Sequence, residues 1–299
     1  MRSQVWLLVI LLVACGGPAA TTTTAPAPTT TAVLVSATAG SERPDAIVSL
    51  SPTATEMLAA IGALDQIVAV DDQSDFPPEV PVTDLSGFTP NIEAIASYEP
   101  DLVVVANDID GMVGALESLG IPVLLLPAAV TFDDVYSQIR QLGTTTGHEA
   151  EADALVASMQ SEIDGLVSGY TAPAEPLTYY HELDPSLFSV TSATFIGLIY
   201  SLFGLGNIAD PADPDGFGYP QLSAEHIISS DPDFIFLADT GAGGQTSEVV
   251  AARPGWAELT AVTGGRVVEL NDDVASRWGP RVVEFVRAVA DALALQPVG

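Results

Sequence analysis

Lysine is absent from this chain of 299 residues, and arginine supplies all 8 basic side chains against 39 acidic ones. The formal net charge of −31 argues against nucleic acid as a partner, because that affinity rests on Lys and Arg contacts to phosphate. It also argues against attraction to anionic lipid through a basic patch, so membrane attachment would need another device. The acidity itself reads as adaptation to salt or to an acidic proteome rather than as a function. Cysteine occurs once, at Cys15, which rules out an intramolecular disulfide and leaves no thiol for catalysis in the domain that follows. No apolar run reaches the roughly 20 residues of a spanning helix, and no Gly-x-Ser-x-Gly nucleophile elbow is present. The three histidines, His148, His181 and His226, form no cluster with carboxylates of the kind a zinc or manganese site requires.

What is present begins with Arg2, an apolar run from Val5 to Val13, and then Leu12-Val13-Ala14-Cys15. A positive start, a short apolar core and small residues at the end describe a secretory signal. The last four residues resemble the lipobox of bacterial lipoproteins, which implies cleavage before Cys15 and lipidation of that residue. Residues 1–15 are therefore expected to be a lipoprotein signal. Residues 16–42, rich in Thr, Ala, Pro and Gly, lack the large apolar groups of a core and read as a disordered stalk. About 255 residues remain, enough for two lobes of ordinary size.

Two stretches 132 positions apart read as copies. Residues 93–106 and 225–238 both run from a glutamate through a short helix to Pro-Asp and then an apolar strand, with Glu93, Ile95, Ser97, Pro100 and Asp101 matching Glu225, Ile227, Ser229, Pro232 and Asp233. One recurrence at domain-sized separation points to two similar lobes and a cleft between them. Strand and helix signals alternate in both halves, as in parallel sheets with helical crossovers. Ser51 and Pro52 open a helix expected to reach Ile61, with Thr53-x-x-Glu56 as a capping-box pattern. Asp71 to Pro81 reads as a loop, with Asp71 and Asp72 solvated, and Leu177 to Val190 as a hairpin-like segment. From Glu149 onward, Ala152, Leu155, Val156, Met159, Ile163 and Leu166 hold one helical face for about five turns. The fold class expected is α/β, with an N-terminal lobe at 43–146, a rigid backbone helix at 147–170 and a C-terminal lobe at 171–299.

The run from Ile47 to Glu56, Ser74-Asp75-Phe76-Pro77-Pro78, Asn91-Ile92-Glu93 and Glu99 to Val103 resemble motifs of one family. They are similar, in the same order, to the substrate-binding proteins of ABC importers for cobalamin and ferric siderophores. The resemblance covers about residues 43–296. It implies an iron chelate or corrinoid held between the lobes of a monomer, no resident cofactor, and no enzymatic activity. It also implies partners: an ABC permease with its ATPase, met by one acidic residue on each lobe. The matching positions are Glu93 and Glu225, each two residues after a good N-cap (Asn91, Ser223), where the helix dipole independently favours a carboxylate. Around the cleft the resemblance points to Phe76, Phe88, Tyr219, Arg277 and Trp278. A haem or other metal-chelate receptor of the same fold, or a lipid-anchored hydrolase, are the alternative readings.

Gly204-x-Gly206-x-x-Ala209 lacks the strand-then-helix context of a dinucleotide fingerprint. His181-Glu182 meets Pro185 where a zinc protease needs its second histidine. The aspartates at 210, 213 and 215 fail the calcium-loop spacing.

Overall fold

The computed structural model describes residues 43–241 and 243–294; the signal segment, Cys15 and the stalk lie outside them. The N-terminal half contains β1 (Ile47–Leu50), α1 (Pro52–Ala60), β2 (Ile67–Asp71), β3 (Val82–Leu85), α2 (Ile92–Ala96), β4 (Leu102–Val105), α3 (Met112–Ser118) and β5 (Val123–Leu125). Its five strands lie in the order β3-β2-β1-β4-β5, all parallel. The two central strands, Ile-Val-Ser-Leu and Leu-Val-Val-Val, are buried at every position, because helices cover both faces of a parallel sheet.

Two long helices follow, α4 (Phe132–Thr146) and α5 (Glu149–Ser168). Thr131 caps α4 in a reciprocal box with Asp134, and Gly147 ends it at φ 77°. The pair then packs closely enough that a Cβ at Gly143 would fall 2.5 Å from that of Ala152. At 20 residues α5 is about 30 Å long. It buries Ala152, Val156, Met159 and Ile163 in a core that also takes Ile47 and Val104 from one half and Phe234 and Phe285 from the other.

The C-terminal half runs β6 (Thr178–Glu182), α6 (Phe195–Ser201), β7 (Gly206–Asn207), α7 (Ala224–Ser230), β8 (Phe234–Leu237), α8 (Ser247–Ala251), α9 (Thr260–Thr263), β9 (Val267–Glu269), α10 (Asp272–Ser276) and α11 (Val282–Ala294). Its strands are again parallel, in the order β7-β6-β8-β9. The expected hairpin-like segment reduces to a turn after β6, where the Leu183 N–H donates to the Phe188 carbonyl at 2.9 Å; among the described residues β6 itself pairs in parallel, with β7 and β8, and Phe188 bridges antiparallel to Gln221. Nor does Thr53 with Glu56 form a capping box. Ser51 caps α1 by accepting from the Ala54 N–H, and Glu56 turns inward, buried.

The repeat extends to backbone and hydrogen bonds. Glu99 and its counterpart Asp231 both take positive φ, 51° and 41°. Asp101 accepts from the backbone N–H groups of Asp45 and Ala46 at 3.0 and 3.1 Å, just before β1. Asp233 does the same for Thr178, at 2.8 Å, where β6 begins. Each aspartate thus ties the strand it opens to the first strand of its own half.

Candidate functional site

A cavity of about 180 Å³ opens at the carboxyl ends of the N-terminal strands, where open parallel sheets hold their ligands. Leu50 and Ser51 at the end of β1, Asp71 at the end of β2, and Val105 to Asn107 at the end of β4 form its floor. Phe88 stands on one rim; Ser276, Arg277 and Trp278, leaving α10 in the other half, form the facing one. Gly87 allows the Phe88 loop to sit this low, since a Cβ there would meet the Leu50 carbonyl oxygen at 2.6 Å. Ser86 Oγ accepts from the N–H groups of Phe88 and Thr89. The ring is thereby presented on a hydrogen-bonded turn while remaining 70% exposed.

Asp71 is not the solvated loop residue expected. It is buried and accepts from Ser74 Oγ at 2.6 Å. Burial raises its pKa above the ordinary carboxylate value; the Ser74 hydrogen bond opposes this and the charge of Asp72 adds to it.

The facing rim is held by an ion cluster that joins the two halves. Glu56 receives Arg281 through both carboxylate oxygens, at 2.9 and 2.6 Å, and Arg277 at 3.0 Å. Arg277 also meets Asp273 at 2.6 Å, Asp75 at 3.5 Å and the Gln73 carbonyl at 3.1 Å. Trp278 donates from Nε1 to Gln138 at 3.1 Å. Asp273 is raised in pKa by burial, with Arg277 opposing and Asp75 adding to the rise.

Of the residues singled out from sequence, Phe88, Arg277 and Trp278 share this cavity. Phe76 lies beneath the Arg281 guanidinium, 4.1 Å from its ring centre, and is 40% exposed. Tyr219 lies outside the cavity lining, on a segment of the C-terminal half anchored where the Gly218 carbonyl accepts from Thr191. Glu93 and Glu225 occupy the second position of α2 and α7, after the side-chain caps Asn91 and Ser223. Both are exposed, and their carboxylates make no hydrogen bond or ion pair among the described residues.

Sequence reasoning missed Glu56, Arg281 and Asp71. The signal for the first two was present: an acid inside the apolar face of a buried helix, and two of only 8 cations one helical turn apart. A second buried cluster lies at the carboxyl ends of β6 and β8. Arg253 clasps Glu182 at 2.6 and 2.5 Å and Gln245 at 2.7 Å. Beside it Asp239, the repeat counterpart of Asn107, has both carboxylate oxygens buried without a hydrogen-bond partner among the described residues, while its backbone carbonyl accepts from Gln245 at 3.2 Å. Burial, then the charge of Glu182, pushes its pKa up to about 7. His181 is likewise buried, held by the Tyr200 hydroxyl at 2.7 Å, and burial lowers its pKa to about 3.

Two parallel α/β lobes, a long helix between them and a cavity walled by both define a two-lobed substrate-binding protein. The family model for periplasmic binding proteins matches residues 47–274, and the chain belongs to that family. It is an ABC-type, extracytoplasmic binding protein rather than an enzyme. It is 31% identical over 261 residues to the uncharacterized ABC transporter substrate-binding lipoprotein YvrC of Bacillus subtilis, covering 84% of this chain and 81% of that one. It is 31% identical over 274 residues to a vitamin B12-binding protein of Pectobacterium carotovorum, covering 88% and 94%. The periplasmic heme-binding protein HutB of Vibrio cholerae superposes with a TM-score of 0.74 at 24% identity, over 84% of this chain and 99% of that one, a likeness of fold.

Proposed function

We propose that this protein captures a cobalamin-type ligand between its lobes and delivers it to an ABC permease, while lipid on Cys15 holds it at the outer face of the membrane. The observation that carries the ligand reading is the two-sided cavity with Phe88 and Trp278 on its rims, in a chain similar along most of its length to a vitamin B12-binding protein. The cavity is smaller than the roughly 300–1,000 Å³ that encloses a drug-sized ligand. A corrinoid would therefore rest across its mouth, with Phe88 and Trp278 as apolar platforms. Phe76, Tyr219 and Arg277 would contact the parts of the ligand that lie beyond these two rings. Lipid anchoring rests on the Leu-Val-Ala-Cys pattern and on the lipoprotein designation of the Bacillus relative.

Delivery falls to Glu93 and Glu225. Two unpaired carboxylates, one at the same helical position on each lobe, suit a receptor face bearing two cationic sites. A double Glu93→Ala, Glu225→Ala variant should retain cyanocobalamin affinity by calorimetry and lose uptake of the labelled vitamin in cells carrying the cognate permease. Loss of affinity in that variant would overturn the docking role. Absence of cyanocobalamin binding by the unaltered protein would overturn the ligand.

A further inference from the structure

We infer that the cavity selects its ligand by charge, accepting an uncharged or cationic metal complex and rejecting anionic chelates. This builds on the reading of the cavity as the ligand site but does not depend on the ligand being a corrinoid.

Cations are scarce in this chain. The chain has 8 arginines and no lysine, and Arg277 alone among the described residues brings a positive charge to the cavity lining. That charge is already answered. Its guanidinium meets Glu56, Asp75 and Asp273 and a backbone carbonyl, and the only other guanidinium in the cluster, Arg281, is bound to Glu56. Three carboxylates thus face two guanidiniums, and the rim carries a net negative charge. The floor adds Asp71, buried, with Asp72 next to it on the exposed side. The pKa directions agree: at Asp71 the neighbouring Asp72, and at Asp273 the neighbouring Asp75 and Glu56, each oppose further negative charge. Elsewhere Arg140, Arg253 and Arg287 are paired with Asp153, Glu182 and Glu162, so none is available to neutralise an incoming anion at this site.

A ligand whose periphery is amide and whose overall charge is zero or positive meets no repulsion here, and Asn107 and Ser276 offer it neutral hydrogen-bonding groups. A porphyrin with propionate carboxylates, or a polyanionic ferric catecholate, would bring negative charge beside Asp71 and the rim cluster. Like charges held in a partly desolvated site repel far more strongly than in water.

The test uses the full chain and calorimetric titration at two salt concentrations. The probes are cyanocobalamin (uncharged), aquacobalamin (cationic), an uncharged ferric trihydroxamate, haem and a ferric tris-catecholate. The expected result is binding of an uncharged or cationic probe at least about thirtyfold tighter than of either anion, with the gap narrowing at high salt. Binding of the trihydroxamate but not of the cobalamins would remove the corrinoid reading and leave the charge inference standing. Haem or catecholate binding within a few-fold of the best neutral probe would overturn it. The Asp75→Asn, Asp273→Asn double variant should raise the ratio of anion to neutral affinity about tenfold; an unchanged ratio counts against the inference. An arm free of any ligand uses collisional quenching of Trp278, isolated by subtracting the Trp278→Phe variant and normalised to free tryptophan amide. Caesium should quench more effectively than iodide at matched ionic strength, and equal or stronger quenching by iodide refutes the negative cavity.

Discussion

Replacing Glu56 with alanine should be among the most damaging single changes in this protein, although its ion partners lie in the other lobe. The side chain is buried at 2% exposure, and the two arginines it binds are 13% and 14% exposed. Removing one partner of a buried ion pair costs about 3–5 kcal/mol, because the remaining charge is left desolvated and uncompensated. Arg277 would keep Asp273 and Asp75, so most of the loss falls on Arg281, whose carboxylate partner is Glu56. For a domain of this size each kcal/mol shifts Tm by about 2–4 °C, which predicts a fall of roughly 6–20 °C in a circular-dichroism melt at neutral pH. Glu56→Gln, which keeps the shape and loses the charge, should fall between. A Glu56→Leu, Arg281→Met double variant should recover much of the loss, since replacing both partners by apolar groups removes the desolvation penalty. A Tm for Glu56→Ala within about 2 °C of the unaltered protein would refute the reasoning, and would mean that the arginines find other partners once Glu56 is gone.

Asp239 predicts a pH dependence of stability with a definite sign. Its folded pKa of about 7 stands above the ordinary 3.8, so between those values the folded state binds more protons than the unfolded one. Stability from this group is therefore present at low pH and falls as pH rises from about 4 to 7, by a few kcal/mol in total. Asp239→Asn should flatten that part of the profile, and equal slopes in urea titrations of the two proteins across this range would count against the burial argument. Between the long helices, Gly143→Val would drive a side chain into Ala152, 2.5 Å from the position of its Cβ. Overpacking of that kind costs about 1–3 kcal/mol; adding Ala152→Gly should restore part of the Tm, and no recovery would place the clash elsewhere.

Local chemistry is legible in the residues themselves. Ser51, Asn91 and Ser223 cap the helices they are expected to open, because a cap is decided by a side chain and an N–H three residues away. The central parallel strands are legible because burial on both faces demands continuous apolar runs. β3 is not: its burial alternates between exposed and partly buried, as an edge strand's does, and ends in one buried leucine. The pairing of β6 escapes a reading along the chain because strand partners are chosen by the crossovers between them, not by the residues at hand. Phe88, Arg277 and Trp278 stand out individually, but nothing local shows that Arg277 is already held by three carboxylates.

By itself the sequence determined the class of protein: a repeated helix–Pro-Asp–strand unit, five turns of one helical face, and a chain so poor in cations that a lone cysteine became the expected membrane attachment. These are short-range patterns, carried by neighbours along the chain. Tertiary structure alone decided the character of the cavity. Glu56 and Arg277 stand 221 positions apart, and Asp71 is buried only once the sheet and the loop bearing Gly87 close over it. Charge at a site is the sum over groups that folding brings within a few ångströms of one another, and such a sum cannot be read along the chain.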